Sequence, residues 1–243
     1  MQVEAFAIRL RPRGHWEAAD LGVRLCQRNA RSVFACYWLV AVPMTLLSLA
    51  TFEIADWLPM TVLWWSKPWL DRTILFVLSR AAFGVQSTPL DVWRAQRDVW
   101  WRQFLGTWTV RRLCPWRSLT QPVHQLEGLD LSMRRKRAAL IRRGRGGAGT
   151  LLTSVYGSIE FTLMVALVSF AFWFAPTGHE PQLSSLFTGE TERVWQMVFA
   201  VCYALVVGFL EPFYVASGFA MYLNRRVELE AWDIEQEFRR AFG

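Results

Sequence analysis

Six ionisable side chains stand inside stretches otherwise apolar enough for lipid: Lys67, Asp71, Arg72, Arg80, Glu160 and Glu211. A charge at the centre of a bilayer costs about 2.5 to 3.5 kcal/mol on the insertion scale, which makes each a functional candidate by default. Taking Thr150, Gly84 and Leu223 as cytoplasmic edges, the helical rise puts Glu160, Arg72 and Glu211 all roughly 15 to 18 Å deep, with Asp71 beside them. Lys67 lies nearer the outer face, Arg80 nearer the inner one, and the formal charges of the set sum to zero. One reading is a structural ionic cluster that ties three membrane spans together. The other is a proton or ion relay, or a cavity for a lipid headgroup, helped by the local break that Pro212 introduces after Glu211. Gly157, Ser158 and Gly208 would allow close helix approach around the cluster.

Other chemistry finds little support. Cys26, Cys36, Cys114 and Cys202 are scattered without CxxC spacing, so neither a disulfide framework nor a zinc site is expected. His15, His124 and His179 lie in three different segments with no HExxH pair, which leaves no expected metal site. No nucleophile stands with a base at credible spacing, so an enzyme is not expected and no catalytic or cofactor-binding residue is assigned. The glycine-rich run 144–149 lacks a following Lys-Ser/Thr and does not follow a strand; it reads as a flexible hinge rather than a phosphate loop.

The elements that position the charges follow from composition. Over half of the 243 residues are apolar, with 14 Trp and 17 Phe, a mixture suited to lipid rather than to a soluble domain of this size. Residues 33–52, 151–174 and 194–223 are long enough to cross about 30 Å of hydrocarbon, and Pro43 should kink the first. Residues 57–83 are apolar at both ends but carry Lys67, Pro68, Asp71, Arg72 and Arg80, so they fit one broken helix or a re-entrant half-helix followed by an interfacial one. Counting them as a full crossing agrees with the loop charges. Residues 86–149 hold thirteen Lys or Arg against four acids, whereas 175–192 hold Glu180, Glu190 and Glu192 and no Lys or Arg. Basic loops stay inside, which places both termini in the cytoplasm and two short acidic loops outside.

The cytoplasmic parts are then an amino-terminal region, 1–32, the basic segment, 85–149, and a tail, 224–243, flanking the span pairs 33–84 and 150–223. Residues 2–11 alternate like a strand, and six Arg before the first span make a cleaved leader improbable on charge. Residues 16–31 read as an interfacial helix with Trp16 and Leu25 on its apolar side. In the central segment Trp93, Trp100 and Trp101 alternate with Arg94, Arg97 and Arg102, a pairing that favours anionic headgroups over nucleic acid beside membrane spans. A basic helix follows at 131–143. The tail is an amphipathic helix with an acidic polar face, suited to docking on the central segment or on a partner through residues such as Trp232.

Several stretches carry a resemblance: Arg11-Pro12-Arg13 before Trp16-Glu17-Ala18 and Asp20-Leu21-Gly22, Trp64-Trp65 with Lys67-Pro68, Leu78-Ser79-Arg80 with Phe83-Gly84, Gln125-Leu126-Glu127-Gly128-Leu129, and Glu211-Pro212-Phe213-Tyr214-Val215-Ala216 through Tyr222-Leu223-Asn224-Arg225-Arg226 to Leu229-Glu230-Ala231-Trp232-Asp233-Ile234. Over nearly its whole length the chain resembles an uncharacterised proteobacterial inner-membrane family encoded beside MoxR-type ATPases, von Willebrand factor A-type proteins and transglutaminase-like membrane proteins. The resemblance implies the bacterial inner membrane and a multiprotein assembly, and it carries no catalytic residues. The expectation is an all-α polytopic membrane protein of about four transmembrane helices plus interfacial and amphipathic cytoplasmic helices. Its expected role is a non-enzymatic scaffold or accessory subunit, needing no cofactor, with membrane lipids and protein partners. The alternative is a small transporter or lipid-handling protein that uses the midplane charges.

Overall fold

The computed structural model of the chain describes residues 13–101, 104–109, 112–174 and 193–230, and among them every regular element is helical. The long helices are α1 (His15–Arg28), α2 (Ala30–Ala50) and α3 (Leu58–Ala81). Short pieces follow: α4 (Pro89–Arg94), a π-helical turn (Arg97–Trp101), α5 (Phe104–Trp108), α6 (Arg117–Leu126) and α7 (Leu131–Arg142). Two more long helices, α8 (Gly146–Trp173) and α9 (Arg193–Glu230), end the described chain. The strand-like stretch 2–11, the loop 175–192, Arg102, and the tail from 231 with Trp232 lie outside the described residues.

Among the described residues three helices are long and apolar enough to cross a membrane: α2 with the turn after it (Ala30–Glu53), α8 and α9. α3 is as long as the first of these but more polar, and the structure accounts for that. It runs unbroken through Pro68, and from Ser66 to Leu78 nearly every residue is buried, so it presents little face to any solvent. Polar side chains on such a helix meet other protein groups rather than lipid. The break allowed by Pro68 and its charged neighbours is therefore not made, and the carbonyl of Pro68 is occupied by Gln121 Nε2 at 3.0 Å.

α9 is the spine. α2 runs antiparallel to one half of it, with Phe34 edge-on to Phe213 and Trp38 against Gly208, and Arg193 joins Glu53 at 2.8 Å where α9 begins. α1 covers the other half. Asn224 exchanges hydrogen bonds with the backbone of Arg13 at 2.8 and 2.9 Å, and Gly22 lies so close to Ala216 and Ser217 that a Cβ would strike their backbone. The buried stripe of α1 is Ala18, Ala19, Gly22, Leu25 and Cys26, whereas Trp16, expected on the apolar side, is exposed. Small residues let the two helices approach; a large indole would hold them apart.

α8 also lies along α9, through Tyr156 against Tyr214 and Phe172 against Trp195. Its only buried residues are Gly149 and Leu152, and it barely touches α3. The glycine run expected as a hinge is largely the first turn of α8; only Gly144, at φ 74°, takes a conformation that L side chains resist.

Candidate functional site

The chemistry of the site starts from α3. Lys67, Asp71 and Arg72 are 4, 0 and 1% exposed, so each charge needs a partner inside the protein. Lys67 Nζ sits 2.6 Å from Glu160 Oε2 on α8 and 2.8 Å from Glu211 Oε2 on α9. Asp71, one helical turn along, pairs at 3.1 Å with Nε of Arg117, and Arg117 also donates to Glu211 Oε1. Glu211, 3% exposed, is thus the carboxylate that bridges both cations. Four of the six charges expected together meet in one network, which joins α3, α6, α8 and α9.

Arg72 and Arg80 belong elsewhere. Arg72 turns away from the carboxylates and donates to the carbonyls of Val99 and Asp98 and to Thr107 Oγ1. Arg80 stands over the Phe76 ring at 5.5 Å near the end of α3. The reason is geometric: successive positions on a helix point about 100° apart, so Asp71 and Arg72 cannot both face α9.

The cation that completes the network, Arg117, comes from the basic segment read as a cytoplasmic, lipid-facing stretch. In the structure this segment doubles back along α3. Trp100 Nε1 donates to Thr73 Oγ1 at 3.0 Å, Trp69 Nε1 to the Trp100 carbonyl at 3.3 Å, and Trp65 Nε1 to the Trp108 carbonyl at 2.8 Å. After a turn at Arg112–Trp116 the chain returns as α6, with Gln121 on the carbonyl of Pro68 and Gln125 on that of Arg72. The described residues between 89 and 126 form a hairpin whose tip reaches Trp64, roughly 25 Å along α3 from Ala81 at about 1.5 Å per residue. Trp100 is accordingly buried among Trp69, Trp93 and Thr73, while Trp93, Arg94, Arg97 and Trp101 remain on the outside. A signal for this lay in the sequence. Arg117, Gln121 and Gln125 recur every four residues, a polar stripe on one helix face, and all three bond into the bundle.

Beside the network lies a cavity of about 860 Å³. Lys67, Arg112, Arg117, Glu160 and Glu211 supply the charged part of its lining, and Met60, Trp64, Phe161, Met164, Leu210 and Tyr214 are among the apolar and aromatic part. It occupies the gap left because α8 leans on α9 and not on α3. Gly157 opens onto it with nothing within 4 Å of where a Cβ would stand, so this glycine makes room for the cavity rather than for a helix; the close approach expected of Gly208 is made, to Trp38. Arg112 stacks its guanidinium 3.4 Å from the centroid of the Trp64 ring. Among the described residues no group of three or more His, Cys, Asp or Glu converges to hold a metal ion.

A second set of ion pairs closes the opposite end of the bundle. Arg137 joins Glu127 at 3.2 Å and also Glu230, Arg226 holds Glu230 at 2.7 Å, and Arg145 holds Glu228 at 2.5 Å. The acids at the start of the tail are therefore engaged by the chain's own basic segment.

Fold and site together define the class: among the described residues, an all-helical bundle with three helices long and apolar enough to cross a membrane, built around a buried ionic network and an adjoining cavity. No family model, curated protein or solved structure matches the chain.

Proposed function

We propose that this chain is a multi-pass protein of the bacterial inner membrane that binds a lipid-like amphiphile in the cavity between α3 and α8, without chemistry on it. α2, α3, α8 and α9 would each cross the bilayer, with α1 and the ends of the chain on the cytoplasmic side. The hairpin 89–126 would be re-entrant from that side. The observation that carries the reading is the cavity: about 860 Å³, lined by a few charged groups and by apolar and aromatic side chains, set where two helices bound for the membrane do not pack together. Ligand sites of this size commonly combine apolar walls with a few convergent polar groups.

The hairpin supports the same reading. Irregular backbone at membrane depth is tolerated only where protein satisfies its polar groups, and Arg72, Trp65 and Trp69 supply donors to its carbonyls. Its outward side chains Trp93, Trp101, Leu105 and Leu113 are exposed and suit lipid. The scaffold reading has less behind it, because Glu228 and Glu230 already bind Arg145 and Arg137 within the chain. The resemblance to the inner-membrane family accords with the location and leaves room for a role beside partner proteins.

The test is mass spectrometry of lipids that co-purify in mild detergent. A bound amphiphile near one per chain is expected for the parent, and its loss for Gly157→Trp, which fills the cavity. Finding no species enriched over the bulk membrane extract, or the same content in both proteins, would overturn the proposal.

A further inference from the structure

Resting on the reading of the cavity as an amphiphile site, we infer that its ligand carries a zwitterionic headgroup, a phosphate joined to an ammonium. The argument is the placement of charge around the cavity. Lys67 and Arg117 are shared among three carboxyl groups, Asp71, Glu160 and Glu211. A third cation, Arg112, stands apart. Among the described residues no carboxylate pairs with it; its guanidinium stacks on Trp64, and its buried Nε has no hydrogen-bond partner. The walls are therefore divided, with a cation that has no carboxylate partner at the hairpin tip and the carboxylates Glu160 and Glu211 on the side of α8 and α9.

Each end suits one half of a zwitterion. Stacking on an indole occupies the face of a guanidinium and leaves its edge donors free for phosphate oxygens, which Arg binds through a planar fork. On the other side Glu160 is the carboxylate nearest the opening: its side chain is 19% exposed, against 3% for Glu211 and 0% for Asp71. It gives one oxygen to Lys67 and can accept from an ammonium as well. An anionic headgroup would satisfy Arg112 and bring no cation to Glu160, whereas a headgroup with both charges meets each group with its opposite. The acyl chains would leave past Met60, Phe161 and Met164.

Binding of short-chain phosphatidylethanolamine, phosphatidylcholine and phosphatidylglycerol, and of phosphoethanolamine without a chain, is measured by native mass spectrometry. The readout is supported by the slowing of alkylation at Cys114, which lines the same cavity while Cys26, Cys36 and Cys202 are buried. The parent should prefer the ethanolamine lipid over the glycerol lipid, and chainless phosphoethanolamine should bind more weakly than either. Arg112→Gln should weaken ethanolamine-lipid binding by roughly tenfold or more, with Arg112→Lys recovering part of it. Glu160→Gln should move the preference toward the anionic glycerol lipid. Equal binding of all three lipids, or an unchanged preference in Glu160→Gln, overturns the headgroup assignment while leaving an amphiphile site in place. Absence of binding by every lipid overturns the site itself, and chainless phosphoethanolamine binding as well as the lipids would make the ligand a free phosphate compound.

Discussion

Glu211 holds Lys67 and Arg117 at once, so neutralising it strands two buried cations, whereas Glu160 serves Lys67 alone and lies partly open to the cavity. Breaking a buried pair by removing one partner typically costs about 3 to 5 kcal/mol. Glu211→Gln should therefore lower the thermal midpoint in detergent clearly more than Glu160→Gln, and equal midpoints would show that Glu211 is not the bridging group. Arg72 has a different office: it clamps the hairpin to α3 through two carbonyls and a hydroxyl. Hydrogen bonds to a charged group contribute about 1.5 to 3 kcal/mol, so Arg72→Leu should destabilise by at least that much and open the hairpin to protease. At the start of α4, Thr88 and Asp91 form a reciprocal cap. The Thr88 backbone N–H and then its hydroxyl hold the Asp91 carboxyl below its usual range. The cap is thus in full force above the ordinary Asp value of about 3.9 and is lost as pH falls through the lower folded value. Asp91→Asn should reduce amide-exchange protection of α4 at neutral pH and make no difference once the parent carboxyl is protonated.

Among the elements, the contact of α1 with α9 depends on glycine at Gly22, whereas α8 does not at Gly157. A Cβ at Gly22 would enter the backbone of Ala216 and Ser217, so Gly22→Ala should push the helices apart at a cost of about 1 to 3 kcal/mol, the usual range for overpacking. Gly157→Ala meets nothing within 4 Å and should leave the midpoint unchanged. Urea or thermal melts of the two variants side by side separate a packing glycine from a cavity glycine. The same scale explains α3. Its charges mark it as a poor membrane helix when taken alone, and its burial by the hairpin, α2 and α9 removes the contradiction. Arg117 could not be assigned to the network from its own segment, because thirteen basic residues there point as a group to headgroups or cytoplasm; only the four-residue spacing with Gln121 and Gln125 hinted at a face turned inward.

For the whole molecule the decisive expectation is that the hairpin lies within lipid. Leu105 is largely exposed on its outer side. A fluorophore on Leu105→Cys, in a background lacking Cys114, should be quenched by nitroxide-bearing lipids and hardly by iodide. Strong iodide quenching would place the hairpin in water and remove the re-entrant arrangement. Pro68, Asp71 and Arg72 have their places in that arrangement only because a second piece of chain comes back along α3 to meet them.

Composition and hydropathy alone determined that the described elements are helical and that three stretches are long and apolar enough for a bilayer, and they put Asp71, Arg72, Glu160 and Glu211 at one depth with Lys67 nearer the outer face. Those properties are local or additive: they depend on how many apolar residues follow one another and on a constant rise per residue. Which cation closes the network, the turning away of Arg72, and the opening of a cavity at Gly157 were decided by tertiary structure. They depend on the direction a side chain takes from its helix and on which distant segment comes to lie beside it, and neither quantity is carried by any single stretch of sequence.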